Sequence, residues 1–179
     1  MLADAAEPVF CVSVVGLATV QNAVPVTAVS GFNLLADGVG LVQEVVVQPA
    51  LAAPPGLTQL AAVCEAFFDY LQRGTFPGGC FFAAAALEMG TRPGPVKERV
   101  AAWESGFAAL IRGFVATAIE QQELPASEDP DRLAFELHGI MLAADTSFVL
   151  HDDPAAVTLA RQIVRQRLGL GNGGNAGEM

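Results

Sequence analysis

Gly74-Thr75-Phe76-Pro77-Gly78-Gly79-Cys80-Phe81-Phe82, running on through Glu88-Met89-Gly90-Thr91-Arg92-Pro93-Gly94-Pro95, decides the fold of this chain. It reads as a turn, a short apolar helix, a glycine-proline break and the start of a second helix. Gly74 suits the position after a helix, where a left-handed backbone costs glycine little. The segment from about Gly79 to Met89 is apolar on every side, so a helix there must be enclosed by others. Gly90 ends it and Pro93 prevents its continuation. Pro95 fits the first turn of the next helix.

Working outward, the apolar residues keep a helical period. Leu57, Leu60, Cys64, Phe67 and Leu71 repeat at threes and fours, which predicts a helix from about Leu57 to Arg73. Val96, Val100, Trp103, Phe107, Leu110, Phe114 and Ala118 form the stripe of a long helix from Pro95 to about Gln122. Asp129-Pro130 and Asp153-Pro154 each pair an N-cap with proline at the first helical position. They predict helices running to about Leu150 and Leu168. Asp37 to Ala52 forms a further candidate helix before the Pro54-Pro55-Gly56 break.

The expected fold is therefore all-α, a bundle of five to six helices. Residues 1–48 differ in composition: they are rich in Val, Ala and Gly, have no clear 3.6-residue period, and Val9–Val20 and Val24–Val29 look strand-like. Composition divides the chain into 1–48 as an atypical segment, 49–168 as the helical domain and 169–179 as a disordered tail.

The bulk properties exclude several classes. A hydrophobic share of 53% excludes a disordered chain. No apolar run reaches the ~18 residues of a membrane span, so no membrane is expected. Three cysteines, Cys11, Cys64 and Cys80, give neither a disulfide framework nor a zinc motif, and a reducing cytoplasm is the expected compartment. The net charge is -10, and the first basic residue is Arg73, after Asp4, Glu7, Asp37, Glu44, Glu65 and Asp69. DNA binding depends on Lys and Arg neutralising phosphates, so this first stretch would be repelled by DNA. No nucleophile-base set, phosphate loop or dinucleotide fingerprint is visible, so no enzyme and no cofactor are expected.

From about Gln43 to Leu168 the chain resembles one branch of tetracycline repressor (TetR) family C-terminal domains. The resemblance rests on Val47-Gln48-Pro49-Ala50-Leu51, Phe67-Phe68-Asp69-Tyr70-Leu71, Phe76-Pro77-Gly78-Gly79-Cys80-Phe81, Glu136-Leu137-His138-Gly139 and His151-Asp152-Asp153-Pro154, in that order. It implies an all-α domain that encloses a small apolar effector and pairs its last two long helices with those of a second subunit. The implied ligand-binding residues are Cys64, Phe67, Phe68, Phe81, Phe82, Trp103, Phe107, Met141 and Asp145. The implied dimer-interface residues are Leu133, Leu137, Ile140, Ala144, Phe148, Val157, Ala160 and Val164.

Residues 1–48 depart from the family, which carries a basic helix-turn-helix there. The segment reads either as a frameshifted or mis-started translation or as a degenerate remnant. DNA binding is then expected only where another reading frame or a partner supplies the head. The chain reads as the sensing and dimerising part of a TetR-type regulator. The alternatives are an orphan helical dimer that modulates a full-length regulator, and a small helical enzyme.

Each candidate also has a plainer reading. Any single aromatic is explained by core burial, since burying one Phe contributes roughly 1.5–3 kcal/mol. His138 and Asp145, two turns apart on one helix, either anchor an effector or a facing subunit, or bond to a neighbouring helix or to solvent. Cys80 is either a thiol activated by a helix N-terminus or a small buried hydrophobe. Asp153 reads as a cap rather than a metal ligand. Arg161, Arg165 and Arg167 are expected to complement the C-terminal dipole of the last helix.

Overall fold

The computed structural model describes residues 38–76 and 78–171. Six helices and no strands occur among them: α1 (Gly38–Ala52), α2 (Leu57–Gln72), α3 (Phe81–Met89), α4 (Pro95–Glu120), α5 (Pro130–His151) and α6 (Pro154–Arg167). The expected all-α bundle is thus the observed one. The strand-like stretches Val9–Val20 and Val24–Val29 and the tail beyond Gly171 lie outside the described residues. α1 runs across the compositional division at residue 48. Val42, Val46 and Val47 are buried against the bundle, so residues 38–48 belong to the helical body.

α2 is the central helix and packs on α1, α4, α5 and α6. Seven of its residues are buried, from Leu60 to Leu71, covering well over one stripe. α4 and α5 lie along each other, α6 closes the bundle against α2 and α5, and α3 rests on α4. α5 is long and apolar enough to cross a membrane by length and composition alone. Here it is a core helix, with Leu133, Leu137 and Met141 fully buried and Asp145 on the same side.

The helix ends follow local chemistry. Asp129 accepts from the Asp131 and Arg132 N–H groups at 2.9 and 3.2 Å, and Asp153 from Ala155 N–H at 2.9 Å. Gly74 takes φ +60 just beyond α2. α4 ends two residues before the expected Gln122, which itself turns left-handed at φ 62 and lets the Glu123 and Leu124 N–H groups bond back to the Ala118 carbonyl.

α1 contains a π-helical turn over Gln43–Val47, in which the Gln48 N–H bonds to the Gln43 carbonyl five residues back. Pro49 follows at once. A proline lacks the N–H for the α-helical bond and crowds the carbonyl four residues earlier, and the wider turn relieves that crowding.

The starts of α2 and α3 are built differently. Neither N-cap residue offers a side-chain acceptor. Glu123, from the α4–α5 connection, accepts from Leu57 N–H at 2.7 Å. Asp145, from α5, accepts from Cys80 N–H at 2.8 Å. Both carboxylates sit where a glycine at positive φ leaves room. A Cβ on Gly56 would lie 2.2 Å from Glu123 Oε2, and one on Gly79 would lie 2.1 Å from Asp145 Oδ1.

Candidate functional site

Nine rings form one connected series through the bundle. Phe67 contacts Phe68 and Tyr70, and Tyr70 leads through Phe76 to Phe81. Phe81 meets Phe82 edge-on at 5.3 Å. Phe82, Trp103 and Phe107 are then nearly parallel, with centroids 3.6 and 5.1 Å apart and planes within 1° and 11°. The series ends where the His138 ring stands edge-on to Phe107 at 5.7 Å. α2, the short α3, α4 and α5 each contribute rings. α3 buries Phe81, Phe82 and Ala85, but Leu87 on its other side is 84% exposed, so the expectation that this apolar helix is enclosed all round is not met.

The candidate ligand residues accordingly come together. Cys64, Phe67, Phe68, Phe81, Phe82, Phe107 and Met141 are buried in one core, Asp145 is 5% exposed, and Trp103 is half-buried. Trp103 and Phe107 alone of this set reach a groove of about 400 Å³ between α1 and α4. Its other walls are Gln43, Val47, Leu51, Ala102, Gly106 and Leu110. Sequence reasoning missed most of these, because their role depends on how α1 lies over α4.

Polar groups line the inner side of the ring series. The Tyr70 hydroxyl accepts from Phe81 N–H at 3.3 Å and donates to the Gly79 carbonyl at 3.4 Å. Burial pushes the Tyr70 hydroxyl up, and the nearby Cys80 adds to this. Burial also raises the Asp145 carboxyl, an effect partly opposed by the Cys80 N–H. His138 Nε2 lies 3.4 Å from Glu104 Oε2. Burial lifts the Glu104 carboxyl and lowers the His138 imidazole, so it works against charge on both.

Asp145 accepts from the Cys80 N–H of a neighbouring segment, and His138 Nε2 faces Glu104 on α4. Cys80 is 3% exposed, and burial pushes its thiol up to about 12, the behaviour of an inert buried thiol. Asp153 is a cap, and no group of three metal-ligating side chains occurs among the described residues.

The basic end of α6 corrects the dipole reading. Arg161 binds Glu65, Asp69 (2.5 Å) and Gln72 on α2 and lies over the Phe68 ring at 5.5 Å. Arg167 forks onto Glu128 at 2.9 Å and bonds Glu136 at 2.9 Å. Only Arg165 reaches carbonyls just past the helix, those of Leu170 and Gly171. These arginines tie helices together, because opposite charges lie within reach and outweigh a helix-end interaction.

The profile of the tetracyclin repressor-like C-terminal domain matches residues 56–164. The chain belongs to that family. The matched segment begins at the glycine before α2 and ends inside α6, and so covers the whole ring series of this TetR-like domain. No curated protein matches the chain.

The residues inferred for subunit contact in this TetR-like domain lie as follows. Leu133, Leu137, Ala144, Val157, Ala160 and Val164 are buried within the single chain, and Ile140 and Phe148 are half-buried. Their stripe is the inward face of α5 and α6, already filled by the protomer's own core. The opposite face carries Phe135 (81% exposed), Leu150 (71%), Leu159 (57%) and Ile163 (42%). Both faces are apolar at helical spacing, and the period alone does not tell inward from outward.

Proposed function

We propose that this chain is the effector-sensing and dimerising part of a TetR-type transcriptional regulator, without a DNA-reading head of its own. The observation that carries the reading is the ring series inside the family-matched segment, opening through Trp103 and Phe107 on the α1–α4 groove. Apolar walls with a few polar groups are what a small-molecule site requires. The effector is a small apolar compound that enters beside Trp103 and settles among Phe81, Phe82, Phe107 and Met141, with Cys64, Phe67, Phe68 and Asp145 behind them. Because α1 forms one wall, occupancy favours one position of α1 over another, a shift between two populations.

Dimerisation uses the outward faces of α5 and α6. Phe135, Leu150, Leu159 and Ile163 stand exposed on these faces, apolar surface that association would bury. The absence of any Lys or Arg before Arg73 supports the headless reading. It equally favours a second reading, in which the chain pairs with a full-length regulator and modulates it. Co-purification with such a partner separates the two.

Trp103 is the sole tryptophan, so its emission reports on the site directly. Titration with a panel of planar apolar compounds is expected to give saturable quenching together with a raised melting temperature. Quenching without any thermal stabilisation would overturn the effector reading. With duplex DNA, the chain is expected to form no salt-sensitive complex at physiological ionic strength; a clear one refutes the headless reading.

A further inference from the structure

Two half-buried ionisable side chains adjoin the ring series without a part in the site described so far. Glu104 on α4 and His138 on α5 face each other, with Nε2 3.4 Å from Oε2. The His138 side chain is 19% exposed and that of Glu104 25%. The pair meets the series at two places. The His138 ring stands edge-on to Phe107. The Cys80 thiol, raised chiefly by burial, is raised further by the Glu104 charge, which places that carboxyl near the start of α3.

The first proton that the pair takes up removes its net negative charge, whichever atom holds it. Burial lifts Glu104 from its ordinary 4.5 and lowers His138 from its ordinary 6.5, which draws the two titrations together. Of the titratable groups around the pair, Cys80, Tyr70 and Asp145 can add only negative charge. Arg112, on the groove that His138 lines, is paired with Asp131. Across α4, α1 presents the uncharged Gln43, Val47 and Leu51. Phe82 and Trp103 stack at 3.6 Å and leave no room between them. An apolar effector that lodges against this stack therefore bears on Phe107, and through Phe107 on the pair. Apolar surroundings penalise the charged form of a carboxyl group.

We propose that effector binding is coupled to the uptake of one proton, held between Glu104 and His138, so that the chain senses an apolar compound and acidity together. The inference rests on the effector reading above and adds a regulator to that same site. Linkage is reciprocal: an effector that makes the pair hold its proton more tightly is itself bound more tightly when the proton is present. Binding therefore tightens as pH falls from above 6.5 towards 4.5.

N-phenyl-1-naphthylamine, an apolar probe that stays uncharged over this range, tests the coupling through quenching of Trp103. The full chain is expected to bind it about tenfold more tightly at pH 5 than at pH 7.5. Glu104→Gln, which cannot take up the proton, is expected to bind it equally at both, and thermal melts at both pH values verify that the variant folds. Proton NMR gives a readout independent of the probe. The chain has two histidines, and the exposed His151 serves as the reference for His138. Glu104→Gln is expected to move the His138 midpoint by about half a pH unit or more and to leave His151 in place. An unmoved His138 refutes the pair as the holder of the proton. A moved His138 with equal probe affinity at the two pH values, or a pH dependence that survives Glu104→Gln, refutes the coupling and leaves the effector reading standing. A probe that binds at neither pH overturns the effector reading and the coupling with it.

Discussion

Asp145 is a carboxylate at 5% exposure that accepts a hydrogen bond from Cys80 N–H, 65 residues away in the chain. Burial raises its carboxyl above the ordinary 3.8, so the folded protein takes up this proton before the unfolded chain does. The charged form therefore costs stability that is regained as pH falls through the raised folded value towards 3.8. An amide keeps the acceptor and removes the charge. Asp145→Asn is expected to be at least as stable as the parent at neutral pH, with an advantage that shrinks as pH falls towards 4. Asp145→Ala leaves the Cys80 N–H without its acceptor and is expected to lose about 1–3 kcal/mol. Urea unfolding at several pH values separates them, and equal stability of the Ala and Asn variants would refute the cap. Glu104, also raised by burial, shifts stability in the same direction. His138, lowered by burial, opposes them, since its protonation below 6.5 penalises the fold.

The helices show what was legible in the sequence and what was not. α5 and α6 were readable at their starts because Asp129-Pro130 and Asp153-Pro154 place cap and proline side by side. α2 and α3 take their caps from Glu123 and Asp145, 66 and 65 residues away in the chain. No local pattern contains that information; the only trace is a glycine, Gly56 or Gly79, before each helix. Gly74 and Gly79 make the test. Both are left-handed, but a Cβ on Gly74 meets open space, whereas one on Gly79 collides with Asp145 and Val149. Gly74→Ala is expected to cost about 1 kcal/mol from backbone conformation alone. Gly79→Ala should cost clearly more in the same denaturation experiment; equal losses would mean that Asp145 moves aside freely. The same limit explains the subunit face. Leu133, Leu137 and Ala144 on one side of α5 and Phe135 and Leu150 on the other are alike in sequence, and packing alone distinguishes them.

Across the molecule, arginines on α6 hold distant elements to one another. Arg167 joins α6 to Glu128 before α5 and to Glu136 within it. Its hydrogen bonds hold both carboxyls below their ordinary 4.5. Depressed acids contribute stability that is present above about 4.5 and lost as pH falls through their folded values. Arg167→Met is therefore expected to melt earlier at neutral pH and to lose less on acidification than the parent. Melting curves from neutral to acid pH check this, and parallel curves would show that the fork contributes nothing to acid sensitivity. The shape of the acid limb thus reports on the α5–α6 clasp, while Asp145 and Glu104 act in the opposite sense.

The π turn in α1 sets the angular phase of that helix. In an α-helix one residue corresponds to 100° of rotation, and the π turn takes up one surplus residue so that the two ends of the helix keep their phase. Gly38, Val42, Val46 and Ala50 accordingly share the buried side across it. Gly38 lies under Phe81, whose ring is 2.7 Å from where a Cβ would stand. α1 therefore works as a fixed dial: its setting, and with it the wall of the groove above Trp103, is kept through the π turn ahead of Pro49 and checked at Gly38.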